Sequence, residues 1–334
     1  MVDLDAPRSA ASALLLTRLG EERGVPAEVT LDGTGLDLVA LRRPGAEITG
    51  AQELSALRNL QRACPDPDLP LEAGTRYHLT TYGIWGFALA SSPTVRSALD
   101  LGTRFVDLSF TFCELEVTET PSHLTIHLDP EGLPADVRDA VLARDLAGLR
   151  TIVSELTGSA VPLAALEVTR SAPADPGTWT RVFGRTPVFG GSRNAAVLEA
   201  GFLDLPLPQA DELTAAATEA QCRALLERRR ARTGLAGHVR DTLVADPRSF
   251  PHVDHVAAGL HLSVRTLRRR LAAEGTSYRA LVEEVREALA EELLGAGLPV
   301  AQVARRIGYA ETAAFTHAFT RWKGTSPRGW VSGR

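Results

Sequence analysis

Val253-Asp254-His255-Val256-Ala257-Ala258-Gly259-Leu260-His261-Leu262-Ser263-Val264-Arg265-Thr266-Leu267-Arg268-Arg269-Arg270-Leu271 reads as two short helices meeting at a tight turn. Val253, Val256, Ala257 and Leu260 recur at helical spacing and form one apolar face. The small Ala257-Ala258-Gly259 group lets a second helix cross close by. Ser263 has the chemistry of an N-cap, because its hydroxyl accepts from a backbone N–H left without a partner at a helix start. Leu267 and Leu271, one turn apart, face inward and so turn Arg265, Arg268 and Arg269 outward. A helix with outward arginines, braced by a second helix, is the layout of an element that lies in the major groove of DNA. Arginine suits that place because its planar fork bonds guanine O6 and N7 together.

The arrangement recurs. Pro299 to Gly308 reads as a supporting helix, Tyr309-Ala310-Glu311 as the turn, and Thr312 to Lys323 as a second outward helix. There Phe315, Phe319 and Trp322 point inward, exposing Thr312, Ala313, Thr316, His317 and Thr320. Between the two units Tyr278–Leu294 is predicted as one helix, with Leu281, Val285, Leu289 and Leu293 on a stripe. Such a connecting helix would hold the two outward helices for successive major grooves, about 34 Å apart.

Charge follows the same division. Residues 235–334 hold 14 basic and 10 acidic side chains, against 22 and 31 in the rest, so a basic tail follows an acidic body despite a net charge of −5. A length of 334 residues suits about two domains, and no apolar run reaches the ~18 residues of a membrane span. Asp3 and Asp5 stand where a signal peptide is basic, and the 3 cysteines are scattered, which predicts a cytoplasmic chain without a disulfide framework.

Ahead of the basic domain, Met1 to about Glu22 reads as a short disordered or helical lead, and Thr49–Ala63 as a helix. Ser92-Pro93-Thr94 opens another helix. Leu115–Thr118 and Leu124–Leu128 alternate as a strand pair, Asp136–Leu156 is helical, and short strands follow at Leu166–Thr169, Val188–Phe189 and Ala196–Glu199. Asp211–Thr233 is a helix ending in an arginine run, Arg228 to Arg232, which reads as a solvated face. The expected fold class is an α+β N-terminal sensor domain over 1–208, a helical linker over 209–234, and an all-α C-terminal domain over 235–334 with two helix-turn-helix units joined by a linker helix.

Other residues offer less. Tyr77, His78, Tyr82, Trp85 and Phe87 cluster in a chain with 5% aromatics, reading either as core packing or as the wall of a small-molecule pocket. Candidate ligand contacts are His78, Tyr82, Trp85 and Arg104, the last suited to a carboxylate. His123 and His127 are spaced as a zinc pair on a helix but fall on a predicted strand, Cys64 has no nearby histidine, and Gly190-Gly191-Ser192 lacks the residues of a phosphate loop. No catalytic residue, metal or cofactor is expected. Arg305 and Arg306 suit phosphate contact and a solvated helix face equally.

The C-terminal hundred residues resemble the DNA-binding domain of the AraC/XylS family of transcription regulators. The likeness is carried by Ala257 to Leu271 with Glu274-Gly275-Thr276-Ser277, and by Ile307-Gly308-Tyr309, Phe315, Phe319, Arg321-Trp322 and Gly324-Thr325-Ser326-Pro327. Gly83 to Thr94, Asn194 to Leu198 and Leu205-Pro206-Leu207-Pro208 resemble the non-cupin sensor domain of an ornithine-utilisation-regulator-like branch. The resemblance implies double-stranded DNA as partner, a homodimer, a small-molecule effector and, for an activator, RNA polymerase. It implies Arg265, Arg268 and Arg269 as base-reading positions, with Ser263 and Thr266 beside them, and Thr312, Ala313, Thr316, His317 and Arg321 on the second helix. His317 stands where the pattern often has arginine, and Ala313 offers no hydrogen bond, so the first unit is expected to supply most of the affinity. Two other classes stay open: a DNA-binding domain carried by a repair-like enzyme, and a DNA binder regulated by a partner without a small ligand.

Overall fold

The computed structural model describes residues 4–232, 234–245 and 250–332. The chain forms two compact units, Met1–Arg228 and Arg229–Arg334. In the first, β1 (Pro7–Ser9) pairs antiparallel with β2 (Glu47–Thr49) across α1 (Ala11–Glu22), α2 (Ala27–Thr30) and α3 (Leu38–Leu41). The segment expected as a disordered or helical lead is therefore largely built in from Pro7 onward: Leu16 and Leu19 of α1 are fully buried. Residues 1–3 of that lead lie outside the described residues.

Then come α4 (Gly50–Ala63), α5 (Leu69–Thr75), α6 (Ile84–Ser91) and α7 (Val95–Arg104). Thr49 with Gln52 and Thr94 with Ser97 form capping boxes that start α4 and α7. Strands β3 (Glu114–Glu119) and β4 (His123–Asp129) precede α8 (Arg138–Thr157), β5 (Ala165–Val168), α9 (Gly177–Phe183), β6 (Val188–Phe189) and β7 (Ala195–Glu199). The sheet runs β3-β4-β7-β5-β6, antiparallel except for the β5–β6 pair. Alternation works as the sequence suggests: β4 buries Leu124, Ile126 and Leu128 and turns His123, Thr125 and His127 the other way. Helix α10 (Glu212–Arg232) carries Thr218, Cys222 and Leu226 as buried residues, and Cys222 and Leu226 join the first unit's core. Within the arginine run read as solvated, Arg229 is buried, and the side chains of 230–232 lie outside the described residues.

The second unit is helical throughout its described residues: α11 (Gly234–Ala245), α12 (Val253–Gly259), α13 (Val264–Ala273), α14 (Tyr278–Gly295), α15 (Val300–Arg306), α16 (Thr312–Lys323) and α17 (Pro327–Ser332). The paired Gly-x-Ser motifs have one physical job. Gly275 and Gly324 take φ of 75° and 70°, which ends α13 and α16 in the left-handed region that glycine enters without strain. Ser277 and Ser326 then accept from the Ala280 and Gly329 amides, at 3.2 and 3.1 Å, and start α14 and α17. Glu274 accepts from the Leu235 and Ala236 amides, at 3.0 and 2.9 Å, and so caps α11 from a distant part of the chain.

The first unit is pinned by a buried ionic network. Arg144 of α8, 1% exposed, donates from Nη1 to Glu53 Oε1 at 2.8 Å, from Nε and Nη2 to Asp145 Oδ1, and from Nη2 to the Phe110 carbonyl. Asp145 Oδ2 accepts from Thr111 Oγ1 at 2.7 Å and from the Phe112 amide at 2.9 Å. Ser12 Oγ donates to Glu53 Oε1 at 2.5 Å and bonds the Tyr77 phenol at 2.6 Å, while Arg8 pairs with Glu53 at 3.2 Å and lies over the Phe112 ring. Burial holds the Tyr77 phenol up at about 12. Gly74 permits the approach of α5, since a Cβ there would overlap the Arg144 carbonyl and Ala147. Removing one member of a buried ion network leaves its partners desolvated and uncompensated. Arg144→Met is therefore expected to lower unfolding stability by about 3–5 kcal/mol in urea titration. Adding Glu53→Gln is expected to recover part of that loss, a coupling that independent sites would not show.

Candidate nucleic-acid interface and cavity

The two helix-turn-helix units share a turn. In the first, the Leu262 amide returns to the Ala257 carbonyl at 2.8 Å, and in the second the Tyr309 amide returns to Ala304 at 2.9 Å. The turn needs a left-handed residue, supplied by His261 at φ 55° in one and by Gly308 at φ 77° in the other. The expected crossing at Ala257-Ala258-Gly259 is narrower than the sequence suggests. Ala257 is buried, but Ala258 and Gly259 are exposed, and a Cβ on Gly259 would meet nothing within 4 Å. Turn geometry, more than small-residue contact, sets the angle between α12 and α13.

Helix α13 buries Leu267 and Leu271 and exposes Arg265, Arg268, Arg269 and also Arg270. Among the described residues none of these arginines has an acidic partner. Several other basic side chains of the unit are paired, Arg240 with Glu284 at 2.8 Å, Arg279 with Glu283 at 3.4 Å, and Lys323 with Glu287 at 2.8 Å and with Glu291, whereas Arg305 and Arg306 are exposed without an acidic partner among the described residues. Ser263 and Thr266 serve the helix start: Ser263 Oγ accepts from the Thr266 amide at 3.1 Å and bonds its hydroxyl at 2.8 Å.

Helix α16 exposes Thr312, Ala313 and His317 and half-buries Thr316, with Phe315 and Phe319 inside. Thr316 and Thr320 donate their hydroxyls back to the carbonyls one turn earlier, at 2.9 and 2.8 Å, which leaves only lone pairs and methyl groups for a ligand. Arg321 is drawn to Glu283 of α14 at 3.3 Å, apart from the unpaired α13 cluster. Arg305 and Arg306 are exposed at the end of α15.

Sequence reasoning overlooked Arg286. Its guanidinium lies 4.6 Å from the Phe250 ring centroid, ahead of α12, and 4.8 Å from that of Tyr309, in the second unit's turn. One cation on the connecting helix thus touches both halves of the domain. Its place between Val285 and Leu289, directly beside the inward stripe, gave no sign of these contacts. Arg286→Leu is expected to lower the thermal stability of this unit by about 1–3 kcal/mol, with Arg286→Lys recovering part, as read by tryptophan fluorescence during unfolding.

In the first unit a cavity of about 130 Å³ lies between the β3-β4-β7 face and α6, α7 and α8. Tyr82 and Trp85 line it as expected, with their rings 5.0 Å apart, and Tyr82 also packs on Phe110 at 5.0 Å. His78 and Arg104 are not on its wall. His78 is exposed and bonds Glu155 at 2.5 Å, and Arg104 pairs with Glu219 at 2.7 Å, so the carboxylate role suggested for Arg104 is already filled from within the chain. Phe87 is 55% exposed on α6. The polar end of the wall, Ser109, Thr111, Arg144 and Asp145, gave little signal in sequence; the one clue was that Asp145 falls on the inward stripe of α8 between Val141 and Leu149. Among the described residues no group of three or more His, Cys, Asp or Glu is placed to hold a metal ion.

Residues 24–207 match the family described as the arabinose-binding domain of AraC transcription regulators, N-terminal, and residues 256–332 match a helix-turn-helix domain. An HTH-type transcriptional regulator of Mycobacterium tuberculosis is 38% identical over 322 residues, covering 94% of this chain and 93% of that one. The ornithine utilization regulator of Pseudomonas aeruginosa is 28% identical over 96% of this chain and 94% of its own. The crystal structure of transcriptional regulator CdpR from Pseudomonas aeruginosa aligns over 95% of this chain and 96% of its own, with a TM-score of 0.48 and 22% identity. With the family match spanning more than half of its length and a full-length relative at this identity, the chain belongs to the AraC family of transcription regulators.

Proposed function

We propose that this regulator reads its operator chiefly through α13, with Arg265, Arg268 and Arg269 on base edges and phosphates, and that α16 adds weaker discrimination. The carrying observation is the set of four exposed α13 arginines on one helix without an acidic partner among the described residues, while acids of α14 take up Arg240, Arg321 and Lys323. An unpaired guanidinium has its full hydrogen-bonding fork free for guanine. On α16, Thr316 offers a methyl and lone pairs, suited to a thymine methyl or an exocyclic amine. Arg321 takes a secondary place, since DNA must compete with Glu283 for it. Boundaries at 208 and 234 serve as working limits of the sensor, linker and DNA-binding domains.

The first unit, in this reading, senses a small molecule in its cavity and supports a homodimer, and an effector acts by favouring the DNA-competent arrangement. RNA polymerase is a further partner if the protein activates. The role in this reading is cytoplasmic and non-enzymatic. Among the described residues no helix is long and apolar enough to cross a membrane. The thiols of Cys113 and Cys222 are pushed up by burial, Cys222 to about 11, which keeps them in the unreactive form.

Fluorescence anisotropy on the regulator's own upstream DNA, across a salt series, tests the DNA reading. Arg269→Ala is expected to weaken operator binding by about 1–3 kcal/mol, with a smaller effect for Thr316→Ala. Equal affinity for wild type and Arg269→Ala, with loss in Thr316→Ala, would reverse the assignment of the two helices.

A further inference from the structure

We infer that the cavity of the first unit takes an uncharged, mainly aliphatic molecule of about six to eight non-hydrogen atoms with one hydrogen-bond acceptor, and that Trp85 Nε1 donates to that acceptor. This rests on the sensing reading above and names the chemistry of its ligand. The wall supplied by the sheet is aliphatic, with Leu124, Ile126, Leu128 and Leu198 facing helices that add Leu149 and Val153. A cavity of about 130 Å³ with such walls suits a molecule of one ring or a short chain.

The charges on the wall are already spent. Arg144 and Asp145 are its two charged residues. The Arg144 guanidinium donates to Glu53, Asp145 and the Phe110 carbonyl, and Asp145 accepts on both oxygens from Arg144, Thr111 and backbone amides. An ionic ligand held against this wall would lose its water and find no free counter-charge on it. Arg150, whose buried Nη1 also lacks a hydrogen-bond partner, is not on the main wall but borders an adjoining pocket of about 30 Å³ that shares Ile126, Leu149, Val153 and Leu198 with it, so hexanoate in the titration below tests whether an anion reaches it.

One fully buried donor among the wall residues has no partner. Trp85 is 6% exposed, and its buried Nε1 makes no hydrogen bond. A buried indole N–H without a partner is uncommon, and a ligand carbonyl, ether or hydroxyl oxygen would satisfy it. The ligand therefore joins an apolar body to a neutral acceptor. An amino acid such as ornithine, with two amines and a carboxylate, is the opposite.

Calorimetric titration of the full chain without DNA tests this with cyclohexanone, cyclohexane, hexanoate and L-ornithine. Cyclohexanone is expected to bind at least tenfold tighter than hexanoate or ornithine. Trp85→Phe is expected to weaken cyclohexanone about tenfold and to leave cyclohexane unchanged, the latter showing that the variant keeps its fold and cavity. Tighter binding of hexanoate or ornithine, no binding of the ketone, or equal ketone affinity in Trp85→Phe would each overturn the inference. Operator anisotropy with and without cyclohexanone is read separately. A bound ketone that leaves operator affinity unchanged upholds the ligand class and overturns the sensing role.

Discussion

Arg144 cannot be buried alone. Taking a guanidinium out of water costs several kcal/mol unless carboxylates and carbonyls replace the lost solvent, and this chain meets that demand from segments far apart in sequence. Glu53 comes from α4, Asp145 from the neighbouring position on α8, the Phe110 carbonyl from the loop before β3, and Ser12 and Tyr77 complete the shell around Glu53. Each partner has to be in place for the others to be satisfied, so the network acts as an all-or-none latch on the helical layer of the first unit. It also leaves the cavity above it with no net charge to offer, which is why the rest of that wall is free to be aliphatic.

The C-terminal unit solves a different problem. Apart from α14 its helices are short, two of seven residues and one of six, and short helices do not stand alone in water. They are held by caps, Ser277 on α14 and Ser326 on α17 from the residue just ahead of each helix, and Glu274 on α11 from a distant part of the chain. Helix α14 is the common support, and its Arg286 lies 4.6 and 4.8 Å from the Phe250 and Tyr309 ring centroids. The electrostatic pattern that results is selective. Acids of α14 take up Arg240, Arg321 and Lys323, while the arginines of α13 are left facing outward without an acid. That imbalance gives an otherwise acidic chain an uncompensated basic face on α13.

Most of the regular structure was legible because local periodicity reports it. The strand pair at Leu115–Thr118 and Leu124–Leu128, the long helix through Leu142 and Leu146, and both helix-turn-helix units lie where apolar spacing puts them. Tyr82 and Trp85 were legible as cavity residues only because aromatics are scarce here, and the same signal misplaced His78, which the structure gives to Glu155. Arg104 had the right chemistry for a carboxylate and found one in Glu219, a partner 115 residues away that no local pattern could announce.

The sequence by itself determined the periodic elements, the local serine caps, the inward and outward faces of α13 and α16, and through them the family. Those features depend on residues within a turn or two of one another. Tertiary structure alone decided which charges are compensated and which remain free. It joined Arg144 to Glu53 and Arg286 to Phe250 and Tyr309, and it left Trp85 Nε1 buried without a partner. Burial and pairing are properties of groups brought together from distant positions, and hydropathy along the chain carries no record of which distant group will arrive.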